Sequence, residues 1–330
     1  LVEDTKVHPK FACLNTKAAT MADSVLESIL EFFTVLFKVF YFWGEAIVKF
    51  FFPRSWLRKD VRGQKVLVTG AGSGLGKMMA TRFKDLGCDL VLWDINGEAV
   101  QKLAKEFQSE VACKAYTVDL SNREQVYQTA DKVKEEFGTI DILVNNAGIV
   151  TGRKFLDCPD SLVEKTMEVN ANAHFWTVKA FLPAMLARNS GHLVSIASSA
   201  GLFGVTGLAD YCASKYAAVG FDESLRYELA TMGKTGVHTT VICPYFINTG
   251  MFDGVSTKFP ALLPILDPED TVNKFMDAIL CNQAMIILPR LLYFAYAARG
   301  ILPLKVSEVL MTYVGASSSM DTFVGRSKSK

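Results

Sequence analysis

Tyr211 is the one tyrosine in this chain with a lysine four residues on, at Lys215. On a helix that spacing puts the two side chains on one face, a turn apart. A phenol titrates near 10 and is a poor base at neutral pH. An ammonium beside it, joined by an oxidised nicotinamide, would stabilise the phenolate and bring it into working range. Far upstream lies Thr69-Gly70-Ala71-Gly72-Ser73-Gly74-Leu75-Gly76, after a short apolar run and before a helical one. Glycines in that setting let the backbone approach phosphates, and the helix N-terminus adds free N–H groups and a favourable dipole. A dinucleotide cradle plus a Tyr/Lys pair is the equipment for moving a hydride and a proton together.

Asp94 closes the next strand-like run, eighteen residues beyond Gly76. A carboxylate there can accept both hydroxyls of an adenosine ribose and repels a 2′-phosphate. Neither Ser73 nor Ile95 is basic, so the pattern points to NAD rather than NADP.

Elements that hold these residues in place follow from the patterning. Strand-like runs fall at Lys65–Thr69, Asp89–Trp93, Val111–Val118, Asp141–Asn145, His192–Ala197, Val237–Cys243 and Ala284–Leu288. Helix-like runs lie between them at Leu75–Leu86, Gly97–Gln108, Ser121–Phe137, Ser161–Ala187, Asp210–Ala230 and Glu269–Cys281. Ser121, with Glu124 three residues on, reads as a capping box. The alternation predicts an α/β fold, a doubly wound parallel sheet with helices on both faces, over residues 57–290.

Two flanking segments differ in character. Residues 1–20 carry no apolar period, and Met21-Ala22-Asp23-Ser24 reads as a natural start, so residues 1–20 are expected to stand apart from the fold. Residues 21–56 are expected to form an apolar membrane-anchor helix, long enough to span a bilayer. Glu31, Lys38, Glu45 and Lys49 interrupt it within about a 40° sector at 100° per residue. A narrow polar stripe suits a helix lying in the interface, or a tilted span with the stripe facing a partner. Arg54, Arg58, Lys59, Arg62 and Lys65 follow, which places the main domain on the cytosolic side. The extension 291–330 is apolar but broken by Gly300 and Pro303; it reads as a second membrane contact, a lid over an apolar substrate, or ordinary packing.

Composition agrees with membrane contact. Of 330 residues 50% are hydrophobic, and mean hydropathy is +0.22. A net charge of +1 with acids and bases interspersed leaves no footprint for nucleic acid. Seven scattered cysteines without a C-x-x-C pair read as reduced thiols, and the four histidines lack metal-ligand spacing.

In order along the chain stand the glycine turn, Asn145-Asn146-Ala147-Gly148, Ser198 thirteen residues before Tyr211, and Tyr211-Cys212-Ala213-Ser214-Lys215. Together they resemble the short-chain dehydrogenase/reductase family over residues 61–290. The resemblance implies a single Rossmann-type domain, usually in a homo-oligomer. It implies that Tyr211 is the general base, that Lys215 lowers its pKa and holds the nicotinamide ribose, and that Ser198 bonds the substrate oxygen. By the same resemblance Asn170 positions a proton-relaying water and Asp119 faces the adenine. The cofactor set it implies is Gly70, Ser73, Gly74, Leu75, Gly76, Asp94, Asp119, Asn146, Gly148, Tyr211, Lys215 and Thr249. One departure stands out: Pro244-Tyr245 replaces the family's usual Pro-Gly. Trp93-Asp94-Ile95-Asn96, Gly207-Leu208-Ala209-Asp210-Tyr211-Cys212 and Asn248-Thr249-Gly250-Met251-Phe252 resemble a membrane-bound, retinol-oxidising branch found at the endoplasmic reticulum and lipid droplets. A hydroxysteroid dehydrogenase of the 17β type, or a non-catalytic lipid-droplet binding protein, are the alternatives.

Overall fold

The computed structural model describes residues 9–325, and the chain divides into two compact units after Leu57. The first holds α1 (Pro9–Phe51) and the short α2 (Arg54–Leu57). α1 begins ahead of Met21, so residues 9–20 belong to the helix; residues 1–8 lie outside the described residues. Pro53 follows its end, where a missing N–H and a fixed φ prevent continuation. Along α1 the Lys49 ammonium pairs with Glu45 one turn back at 2.6 Å, and the Phe37 and Tyr41 rings stack at 6.5 Å. Phe37 and Trp43 are 71% and 68% exposed. Length alone allowed a span. Among the described residues, however, no helix is long and apolar enough to cross a membrane.

The second unit is built on seven parallel strands: β1 (Lys65–Thr69), β2 (Asp89–Asp94), β3 (Cys113–Thr117), β4 (Ile142–Asn145), β5 (Gly191–Ile196), β6 (Val237–Pro244) and β7 (Met285–Leu288). Their order is β3-β2-β1-β4-β5-β6-β7, and every pairing is parallel. Strands covered on both faces read as continuous apolar runs, and Val66–Val68, Leu90–Trp93 and Ile142–Val144 are fully buried. On one face α3 (Gly74–Asp85), α4 (Gly97–Phe107) and α9 (Pro268–Leu280) bury Met79, Phe83, Leu103 and Phe275. On the other, α5 (Arg123–Glu136) and the helices after β4 and β5 bury Val126, Val133 and Phe181. The order reverses between β1 and β4, and the crevice at their carboxyl ends is where such folds bind ligands.

Two local expectations need correction, and the C-terminal extension packs on the domain, one of the alternatives open for it. The helix expected over Ser161–Ala187 is α6 (Asp160–Met167) and α7 (Ala173–Arg188), joined by a π-helical turn at Glu168–Asn172. The cap of α5 is Asn122, whose side chain accepts from Gln125 N; the Ser121 hydroxyl instead donates to Asp119. Finally, the C-terminal extension forms two helices, α10 (Leu291–Arg299) and α11 (Leu304–Tyr313), with Pro303 starting the second. Leu292 is buried, and Ala295, Met311 and Val314 pack beside it against the domain. Residues 326–330 lie outside the described residues.

Candidate active site

The long helix α8 (Ala209–Thr231) carries Tyr211 and Lys215. Both are buried, and the Lys215 ammonium sits 5.7 Å from the centre of the Tyr211 ring. Lys215 donates to the carbonyl of Ile196, the last residue of β5, at 2.8 Å. Ser198 follows two residues later, and its hydroxyl hydrogen-bonds Tyr211. The Phe252 ring stands edge-on to Tyr211 at 5.7 Å and fixes the phenol's orientation.

Electrostatics in the free protein run opposite to the simplest expectation. Burial pushes the Tyr211 phenol well above its ordinary value, and the Ser198 hydrogen bond opposes that only in part. Burial also pushes the Lys215 ammonium down to about 8. Burial thus shifts both groups toward their neutral forms, though Lys215 keeps its charge below about 8. A phenolate here needs further positive charge.

Asn170 lies on the π turn, fully buried. A π turn inside a helix often marks a functional position, because it displaces one side chain from the regular face. The Asn170 amide accepts from Ile149 N at 2.8 Å and donates to Ile149 O at 2.9 Å and to the Ser214 hydroxyl at 3.1 Å. Ser214 in turn donates to the Tyr211 carbonyl at 2.7 Å, so Asn170 is tied to α8.

The glycine turn after β1 is closed by contacts that no side chain could share. A Cβ on Gly76 would lie 2.1 Å from the Gly70 carbonyl oxygen, and Gly70 has φ +64°. Thr69, unremarked as a functional residue in the sequence, joins this turn to the loop after β4. Its hydroxyl accepts from Asn146 N at 2.9 Å and Ala147 N at 3.1 Å, while the Asn146 amide donates to the Thr69 carbonyl. The Asp94 carboxylate accepts from Gly72 N at 2.7 Å and Asn96 N at 2.8 Å, fixing an acid against the turn. A cradle of close backbone, an acid at its edge and a helix N-terminus fit a dinucleotide.

One cavity of about 120 Å³ unites Gly70, Ser73, Gly74, Leu75, Asn146, Gly148, Ser198, Tyr211, Lys215 and Thr249. Gly76, Asp94, Asp119 and Asn170 do not line it. Asp119 instead pairs with Lys165 of α6 at 3.0 Å. Tyr245 and Phe252 do line it, though only the family's missing glycine drew the eye to the first.

Comparison with known proteins agrees with this geometry. The family model described as short chain dehydrogenase matches residues 64–259. Epidermal retinol dehydrogenase 2 of Mus musculus is 54% identical over 82% of this chain and 88% of its own length. The Homo sapiens protein of that name is 50% identical over 92% of this chain and 98% of its own. Among solved structures, a short chain dehydrogenase/reductase from Burkholderia phymatum in complex with NAD superposes with a TM-score of 0.66. It is 26% identical, over 74% of this chain and 95% of its own.

Proposed function

Because the chain belongs to the short-chain dehydrogenase/reductase family, we propose that it oxidises an apolar primary alcohol of the retinol type, with NAD as hydride acceptor. The observation that carries this reading is the single cavity in which Tyr211, Ser198 and Lys215 meet the glycine turn. Bound NAD would supply the hydride acceptor and a positive ring beside the phenol.

Each chain residue then has a defined task. Ser198 orients the substrate hydroxyl, and Tyr211 takes its proton as the carbonyl forms. Lys215, anchored on Ile196 O, holds positive charge near the phenol and is placed for a ribose hydroxyl. Asn170 secures the loop at Ile149 and the start of α8. Ser73, Gly74 and Leu75 take the pyrophosphate, and Asn146, Gly148 and Thr249 line the nicotinamide end. Asp94 accepts the adenosine ribose hydroxyls, which favours NAD over NADP, and Asp119 stands toward the adenine end. Support for the retinoid comes from the names of the two relatives described above.

The same reading places the protein on the cytosolic face of the endoplasmic reticulum or a lipid droplet. α1, with its exposed rings and one narrow polar stripe, would lie in the interface rather than cross it. Phe294, Ile301 and Leu304 of the C-terminal helices and their connection add further exposed apolar surface.

The test is formation of NADH or NADPH by the full chain in phospholipid vesicles, offered all-trans-retinol or a 17β-hydroxysteroid with NAD or NADP respectively. Faster turnover of retinol with NAD is expected. Steroid turnover exceeding that of retinol would overturn the substrate, and no turnover of any alcohol would overturn the reaction.

A further inference from the structure

A second cavity, of about 290 Å³, lies next to the reaction cavity, and none of the residues lining it is charged. Its walls include Phe203 after β5, Leu263 ahead of α9, Leu292 and Ala295 of α10, Met311 of α11 and Val314 directly after it. The C-terminal extension therefore supplies a large share of the enclosure. Tyr245 is the one residue, among those described, that lines both cavities. Beside it Ser198 faces the reaction cavity and its neighbour Ser199 faces the apolar one. Tyr245 is thus the wall residue common to the two cavities.

Tyr245 is held at its backbone but not by the sheet at its tip. Its N–H donates to Leu288 O of β7 at 2.8 Å, and its ring lies edge-on to Phe246 at 4.7 Å. The phenol oxygen bonds Thr257, whose own hydroxyl donates to Leu263 O at 2.8 Å. The ring is therefore steered by the segment between β6 and α9. Where the family has glycine, which has no side chain to divide the space, this chain puts a ring between the reacting atoms and an apolar chamber.

Resting on the dehydrogenase reading above, we propose that the second cavity holds the apolar remainder of the alcohol, and that Tyr245 is the specificity residue. The carbinol reaches Ser198 and Tyr211 on one side of the ring while a long chain-like tail lies in the chamber on the other. A saturated chain can bend past a single phenol ring, and a slim polyene rod can lie alongside it. A rigid fused-ring skeleton, wide along its whole length, cannot. The favoured substrates are long, slim primary alcohols, and fused-ring secondary alcohols are turned away by the ring itself.

The experiment is kcat/KM of the full chain in detergent with NAD, along the straight-chain primary alcohols from butanol to tetradecanol, with one 17β-hydroxysteroid beside them. For the unaltered chain kcat/KM should climb about fourfold per methylene buried. Met311→Trp, which fills the chamber, should raise the ratio of the tetradecanol KM to the butanol KM by about tenfold or more. Ala295→Leu, on the facing helix, should act in the same direction and serves if the tryptophan variant does not fold. Tyr245→Ala should raise steroid kcat/KM relative to tetradecanol by about tenfold. A long-to-short ratio untouched by both chamber variants overturns the cavity assignment, and an unchanged steroid preference in Tyr245→Ala overturns the role of the ring. Turnover of no alcohol by the unaltered chain would sink the dehydrogenase reading instead. Retinol fluorescence on binding to the unaltered and Met311→Trp proteins would then still decide the cavity, with tighter binding by the unaltered chain expected and equal binding overturning it.

Discussion

Asn170 and Lys215 both reach the space beside Gly148: a Cβ built on that glycine would lie 3.4 Å from Asn170 Oδ1 and 3.5 Å from Lys215 Nζ. The two groups come from different elements, a π turn and α8. This space is where a proton leaving the phenol by way of Lys215 would meet the relay. A methyl group there reaches only ordinary contact distance. Gly148→Ala should therefore lower kcat by about tenfold while Tm stays close to that of the unaltered chain, read by steady-state NADH formation and thermal unfolding. Asn170→Ala should lower both, because it leaves the backbone N–H and C=O of half-buried Ile149 without their side-chain partners, at a cost of up to about 1–3 kcal/mol.

Tyr211→Phe should reduce kcat by about 10²–10⁴-fold, the usual worth of a positioned acid–base group. The ring keeps its packing on Phe252, so the unfolding temperature and NAD affinity should change little. Near-normal turnover would remove the phenol from the reaction.

The pH dependence has a definite sign. Burial raises the Tyr211 phenol, so at neutral pH the acceptor form is scarce. Alcohol oxidation needs the phenolate, and kcat/KM should rise with pH until the phenol of the NAD complex is titrated. Carbonyl reduction needs the neutral phenol and should fall over the same range. Lys215, pushed down to about 8 by burial, carries its charge below that pH and helps the phenolate there. Opposite slopes for the two directions are the expected result; parallel slopes would contradict the assignment.

Asp94→Arg should move cofactor preference toward NADP, since it replaces a carboxylate with a cation where a 2′-phosphate would sit. The same change removes the acceptor for Gly72 N and Asn96 N, so some loss of stability should accompany it. The check is the ratio of kcat/KM with the two cofactors, and an unaltered ratio would count against Asp94 at the ribose.

Gly76→Ala drives a methyl group into the Gly70 carbonyl, and the Asn146 amide stands 2.6 Å from the same point. Neither neighbour is a loose side-chain end, because Asn146 is tied to Thr69. Overpacking costs about 1–3 kcal/mol, so Tm should drop by about 2–12 °C.

Much of the second unit was readable because its signals are local. Parallel strands announce themselves as apolar runs, and Lys65–Thr69 is the strand expected to the residue. The glycine turn is legible because only glycine fits φ +64° at Gly70 and the contact at Gly76. Choices settled by side-chain partners rather than by pattern were not readable. Asn122 and Ser121 are both good caps, and only the pull of Asp119 on the Ser121 hydroxyl decides between them. An apolar period of 3.6 does not reveal a π turn, so the continuous helix expected through Asn170 is interrupted. Asp119 looks like a free acid until α6 brings Lys165 to it. The position of Tyr245 between two cavities depends on β6, α10 and α11 meeting, which no local pattern encodes.

The account stands on one phenol becoming a base when a cationic ring binds beside it. The direct measurement is ultraviolet difference spectroscopy of tyrosine ionisation against pH, with and without saturating NAD, in the unaltered chain and in Tyr211→Phe. One tyrosine of the unaltered chain should ionise below the ordinary value of about 10 when NAD is present, and that step should vanish in the variant. Superimposable titrations of the two proteins with NAD bound would contradict it.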